Sequence, residues 1–316
     1  MRVASTITTE VAIACTLFFC DSRDASIEGE CKLSIRGEER GMAIRTIFVS
    51  IAFSLVFCAT ADYARVCAAQ TSTAVPVVVE LFTSEGCSSC PPADAYLQKL
   101  QSMQPVPGAR LITLSEHVTY WNHDGWKDPY SSDQLTDRQQ VYVSRFGLPS
   151  AYTPQFVVDG TDELKLTDAG QVRAVFEKAL KDQRIPVTIT STHFDPGGFG
   201  ILRGHIDIDG TTAKQPADIY VAVTLHEANS DVSAGENKGR KLTETEVVLN
   251  LEKIGKTTPG RVFSRDFEVK LRASEIPANL GLVVVAQAGG TGKIVGAASV
   301  EQIGSSQSST VSENHR

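Results

Sequence analysis

Beyond Cys90 the sequence has no cysteine: the 226 residues from Pro91 to Arg316 contain none, and six of the seven cysteines fall before residue 88. A scaffold stapled by disulfides spreads its cysteines through the chain, so that class is excluded. No block of lysine and arginine offsets a net charge of −7, which argues against a surface that tracks nucleic-acid phosphates. An uncharged apolar run of the ~17 to 25 residues that span a bilayer is also missing, since the run Thr46 to Ala61 falls just short. What remains, with 42% hydrophobic and 21% charged residues in 316, suits a globular protein of about two domains.

The short run has its own reading. Arg45 precedes TIFVSIAFSLVFCATA, residues 46 to 61, which closes on Ala59-Thr60-Ala61. A basic start, an apolar middle and a small-x-small end describe a secretory signal peptide, with an uncleaved membrane anchor over residues 46–61 as the alternative. Residues 1–41 are expected to be a spurious or disordered extension ahead of Met42, residues 42–69 the signal peptide and linker, and 304–316 a disordered tail. The expected location is the periplasm or the exterior, with membrane contact only through that segment. Cleavage after Ala61 leaves Cys67, Cys87 and Cys90, and cleavage after Ala69 leaves only the last two.

Those two define the stretch ELFTSEGCSSCPP, residues 80–92. The β-branched run from Pro76 to Phe82 reads as a buried strand, and Ala93, Tyr96, Leu97 and Leu100 share one helical face. Proline is tolerated only in a first helical turn, so the helix starts near Pro91. Cys87 is then expected just outside an open helix N-terminus, reachable by solvent, where unpaired amides and the dipole favour a thiolate.

After Pro105 and Pro107, residues 110–116 read as a second buried strand followed by His117. HVTYWNHDGWKDPY, residues 117–130, follows neither strand nor helix period and reads as an aromatic loop, either functional or folded over the core. Thr136 and Gln139 form a capping box for a short helix that Gly147 ends. Strands are expected on both sides of Asp159-Gly160, and Thr167 or Asp168 caps a further helix. Residues 184–303 change to alternating segments such as Leu202, Gly204, Ile206 and Ile219, Val221, Val223, a β-rich region. Within it GENKGR, residues 235–240, reads as a turn. GGTGK near residue 290 is not a phosphate loop, because Gln287 and Ile294 stand at positions that motif needs for Gly and Ser or Thr.

The order strand, Cys-x-x-Cys helix, strand, helix, X-Pro strand, hairpin strand, helix over residues 75–183 resembles the thioredoxin fold. The resemblance implies an α/β thioredoxin-like domain, residues 70–183, followed by a mainly β, sandwich-like domain, 184–303. It also matches Thr153-Pro154 to the Thr-cis-Pro that faces the cysteine pair in that superfamily. More narrowly, EGCSSCPPAD, HVTYWNHDGWKDPY, TPQFVVDG and GENKGR resemble a secreted bacterial family known as domain of unknown function 1223, which carries no established reaction. Ser88-Ser89 replaces the Gly-Pro of thioredoxin, and Leu81 stands where thioredoxin has a buried Asp. Glu80 lies next to it, and His117, at the end of the neighbouring strand, is a candidate substitute base.

Three chemistries fit the pair. Thiol-disulfide exchange would use Cys87 to attack and Cys90 to resolve, with Thr153 and Pro154 at the site and protein thiols or disulfides as partners, without a cofactor. Copper or zinc binding would use Cys87, Cys90 and His117. An inert local disulfide in a protein-binding module is the third. His117, Tyr120, Trp121, Trp126 and Glu80 are auxiliary candidates, while His123, Asp124 and Asp128 read as solvated loop polars, with metal ligation as the alternative.

Overall fold

In the computed structural model, residues 74–195, 200–271, 279–289, 292–301 and 303 are described. The signal-peptide, extension and tail expectations lie outside them, as does the expectation for Cys67.

The first strand, β1 (Val75–Thr83), lies parallel to β2 (Ala109–His117), Thr83 opposite His117. Between them runs helix α1 (Pro91–Met103), with Cys90 at its N-cap and two prolines opening it. β3 (Gln155–Val158) pairs antiparallel with β1 and turns through Asp159 and Gly160, at φ 47° and 69°, into β4 (Asp162–Leu164). Two left-handed residues in succession are what Asp-Gly supplies to a tight hairpin. Helix α2 (Asp133–Phe146) starts earlier than the capping box suggests. Ser132 is its N-cap, and the left-handed Gly147 ends it. Thr136 instead accepts the Thr119 amide, and Gln139 is buried against Tyr152 and Gln155. Helix α3 (Ala169–Lys181) is capped by Asp168.

The remaining strands overturn the expected fold class. β7 (Ala217–Asp231), β8 (Lys241–Lys256), β10 (Leu280–Ala288) and β11 (Ile294–Val300) do not form a separate sandwich. They continue the first four strands in one mixed eight-stranded sheet of order β11-β10-β7-β8-β2-β1-β3-β4. Only β5 (Val187–Asp195), β6 (Gly200–Asp209) and β9 (Val262–Leu271) form a second sheet, of three strands. The protein is mostly β, not an α/β thioredoxin-like unit followed by a sandwich. The physical reason is the free edge of β2, which demands a partner. β8 meets it in parallel at Ser115 and Val247.

Alternation along the strands divides the core. On one face Val78, Ile112 and Leu114 join Ala222, Val248 and Val283 beneath Leu135 of α2, so one apolar cluster crosses both halves of the sheet. On the other face Val77, Val79 and Leu81 pack against Leu97 and Leu100 of α1 and Phe176 of α3. There Ile219, Val221, Leu282 and Val284 meet Leu202, Ile206 and Val269 of the small sheet.

A charged network sits inside the α2 face. Arg138 donates to Glu80 at 2.6 Å, to Gln287 at 3.2 Å and to Tyr142 at 3.2 Å, and Tyr142 donates to Glu80 at 2.7 Å. Glu116, fully buried 3.5 Å from Arg138, is pushed well above the usual carboxylate range by burial and by the Glu80 charge. One guanidinium thus serves two carboxyls, one of which keeps its proton. Removing it leaves Glu80 uncompensated. Arg138→Ala is expected to lose about 3–5 kcal/mol in urea denaturation at neutral pH.

Candidate functional site

The carboxyl end of β1 runs into the cysteine loop, and nearly every side chain there is buried. Cys87 and Cys90 are bonded to each other, Cα atoms 5.4 Å apart, and both are 0% exposed. The expectation of a solvent-exposed Cys87 is therefore corrected. The loop folds back through Cys87 N–H to Ser84 O and Cys90 N–H to Cys87 O, which draws the first cysteine inward. Ser88 and Ser89 form the exposed rim, and the Ser89 hydroxyl lies 3.3 Å from Cys87 Sγ. Because a disulfide sulfur has no hydrogen to give, this hydroxyl is the donor.

Behind the loop lies a buried acid–base cluster. Asp128 Oδ2 accepts from the Glu85 amide at 2.9 Å and pairs with His117 Nδ1 at 2.7 Å. His117 Nε2 faces Ser115 Oγ at 3.3 Å and Glu244 Oε2 at 3.5 Å, and the Tyr130 ring meets the imidazole edge-on. Asp94, in the first turn of α1, accepts from Thr83 at 2.8 Å, and Glu85 accepts from the Trp126 indole at 2.7 Å. Burial opposes charge on His117, yet Asp128 and Glu244 outweigh it and raise its pKa to about 10. Burial pushes Asp94 up to about 6 and Glu244 up to about 8, and raises Glu85 as well. Asp128 stays below the usual range despite its burial, because His117 is beside it. The cluster is one imidazolium, one firm carboxylate and three carboxyls that hold protons more tightly than usual.

The aromatic loop covers this arrangement. Trp121 donates to Thr153 Oγ1 at 2.7 Å, and a Cβ added to Gly86 would come within 3.2 Å of its Cβ. It thus links the cysteine loop to the Thr153-Pro154 turn, whose peptide bond is cis. Tyr120 points away, toward Gln139 at 3.2 Å. Glu80 lies on the opposite face of β1 with Arg138, so it does not join the cysteines. Both sulfurs are used by the disulfide and both His117 nitrogens face partners. Among the described residues no group of three or more His, Cys, Asp or Glu is arranged to hold a metal ion.

The family model described as "Protein of unknown function (DUF1223)" matches residues 78–287, most of the described chain. The chain belongs to the DUF1223 family. A crystal structure of protein AGR_C_4864 from Agrobacterium tumefaciens is similar at 32% identity, covering 77% of this chain and 99% of its own, with a TM-score of 0.52. HBP35 of Porphyromonas gingivalis shares the fold at 14% identity, over 72% of this chain and 75% of its own, with a TM-score of 0.51. No curated protein sequence matches.

Several DUF1223 residues at this site escape sequence reasoning. Asp128 is 2% exposed, not a solvated loop residue, whereas His123 and Asp124 are exposed. Glu244 lies far along the chain on β8 and reaches His117 only through the β2–β8 join. GENKGR is indeed a turn, but its Asn237 is fully buried against the cysteine loop. Its signal is polar character between two strong strands, which any exposed hairpin shares.

The cluster carries a pH signature. For His117, Asp94 and Glu244 the folded pKa lies above the unfolded one, so the native state binds more protons between the two values and stability falls as pH rises across them. Urea denaturation should show a higher unfolding free energy at pH 5 than at pH 8.5. Glu244→Gln, which cannot ionise, should flatten the part of that decline between about 4.5 and about 8. An unchanged slope in that variant would show that Glu244 does not hold its proton in the native state.

Proposed function

We propose that the Cys87–Cys90 pair performs thiol-disulfide exchange with protein partners outside the cytoplasm. The observation that carries this reading is a three-apart disulfide closing a strand-to-helix turn, with Cys90 at the N-cap of α1 and the Ser89 hydroxyl on Cys87 Sγ. A hydroxyl and a helix N-terminus stabilise negative sulfur, which is the charge that exchange creates and an inert staple never carries. Location outside the cytoplasm is supported by the signal-peptide pattern of residues 45–61.

Cys87 thiolate attacks a sulfur of the partner disulfide; the Cys87–partner bond forms, the partner S–S bond breaks, and the departing partner thiolate takes a proton. Cys90, after giving up its proton, attacks Cys87 Sγ and closes the internal disulfide. The partner's second sulfur leaves as a thiol. Two electrons pass to the partner, and the reverse sequence oxidises one. Asp94 stands one helical turn beyond Cys90 and binds its proton up to about pH 6. Ionised at neutral pH, Asp94 is the acceptor we assign to the Cys90 proton.

An inert disulfide is the competing reading, favoured by one observation: both sulfurs are wholly buried. Trapping separates the two. Cys90→Ser in a periplasmic extract is expected to accumulate mixed disulfides on Cys87, detectable as reducible high-mass species, and Cys87→Ser to accumulate none. If Cys90→Ser captures nothing while its Cys87 remains alkylatable, the pair is a staple.

A further inference from the structure

The tip of the β7–β8 hairpin reaches the cysteine loop through side chains that neither the strands nor the core require. Asn237 Nδ2 donates to Glu85 O at 2.8 Å and to Cys87 O at 2.9 Å. Glu236, exposed beside it, accepts from the Ser88 amide at 3.1 Å. Gly235, at φ 70°, lets the tip pass: a Cβ there would come within 3.1 Å of Asp124 O and 3.2 Å of Trp126 Cβ. The tip is thus wedged between the aromatic loop and the cysteines. Its fixed point is Asn237, and its charge is Glu236.

The amide of Ser88 is the first beyond Cys87, in the turn that feeds the N-terminus of α1. Amides and dipole there favour negative charge. While the cysteines form a disulfide the sulfur carries none, and Glu236 takes that amide unopposed. Its carboxyl is accordingly held below the usual range by the Ser88 contacts. Once the disulfide is reduced, a Cys87 thiolate forms in the turn whose next amide, that of Ser88, the Glu236 carboxylate already holds, so two anions share one short loop. Each then disfavours the other.

We propose that Glu236 sets the redox poise of the cysteine pair, opposing the Cys87 thiolate and so favouring the disulfide, and that Asn237 is the positioning residue that holds this carboxylate on Ser88. The inference rests on the exchange reading and names what regulates it. Reduction by a dithiol makes the charge explicit. The reagent's thiolate attacks Cys87 Sγ, the Cys87–Cys90 bond breaks, and Cys90 leaves with the electron pair and takes a proton. The reagent's second thiol then closes on the first, releasing Cys87 as thiolate and the reagent as a cyclic disulfide. That released thiolate is the species Glu236 opposes.

The test equilibrates the full chain with set ratios of reduced and oxidised dithiothreitol and measures Cys87 alkylation against pH. Glu236→Gln is expected to move the equilibrium about three- to tenfold toward the dithiol and to lower the alkylation pKa. Glu236→Asp should stay near the native chain. Because Glu236 is exposed, the difference between the native chain and Glu236→Gln should shrink at about 1 M salt. Asn237→Ala should move the equilibrium in the same direction, and adding Glu236→Gln to it should change little more. Unchanged equilibrium and alkylation in Glu236→Gln overturn the proposal, and since that side chain is exposed the variant is expected to fold even where Asn237→Ala does not. Loss of partner trapping with the Glu236→Gln shift intact would instead sink the exchange reading and leave the tuning in place.

Discussion

A single parallel contact, Ser115 against Val247, joins the two halves of the large sheet, and the site depends on it. The same strand carries Glu244, three residues before Val247, and the left-handed Glu246 at φ 51° breaks the regular strand between them. Glu244 reaches back to His117 at 3.5 Å. Ahead of β8 the hairpin tip lies against the cysteine loop, where Asn237 donates to the Cys87 and Glu85 carbonyls. A slip of one residue would turn every side chain of β8 to the other face. It would part Glu244 from His117.

Sequence periodicity is strong where a segment meets one environment and weak where it meets two. The cysteine loop, α1 and the Asp159-Gly160 hairpin are legible because proline, glycine and Asp-Gly act through their own backbones. The division into two folds fails because apolar alternation in residues 217–300 reports that a face is buried and not which strand lies alongside. β10 makes the point: residues 280–288 are buried throughout, as a central strand must be, yet a buried strand reads alike in a sandwich and in the middle of a mixed sheet. For the site, His117 is legible because it ends a strand beside the cysteines. Asp128, Glu244 and Asn237 are not, since polar residues in a loop, a strand and a turn carry no mark of the burial that only tertiary contacts impose.

The consecutive residues Glu116 and His117 show how the sheet keeps two costly clusters apart. Neighbours on a strand point to opposite faces, so Glu116 joins Glu80 and Arg138 under α2 while His117 joins Asp128 and Glu244 on the side of α1. Each cluster has one cation and more carboxyls than it can neutralise. Burying unpaired charge costs several kcal/mol, so the surplus carboxyls are held neutral, as the raised Glu116 and Glu244 pKa values record. The α2 cluster has no titrating outlet, with Tyr142, Gln287 and Arg138 closing it as a structural knot.

The His117 cluster is different because it lies behind the Cys87–Cys90 disulfide, and the exchange proposed above would move protons there. A dithiol holds two protons that a disulfide does not, and a wholly buried pair cannot hand them directly to solvent. Carboxyls with pKa values drawn toward neutrality are suited to accept and return such protons, whereas the ordinary surface carboxylates are too acidic. The burial that counts against easy attack on Cys87 is therefore also what creates the proton-holding groups behind it. On the exchange reading a partner would approach over the exposed Ser88 and Ser89, beside Glu236. Access, charge and proton supply would then be governed by three different segments of the chain: the cysteine turn, the hairpin tip and the end of β2.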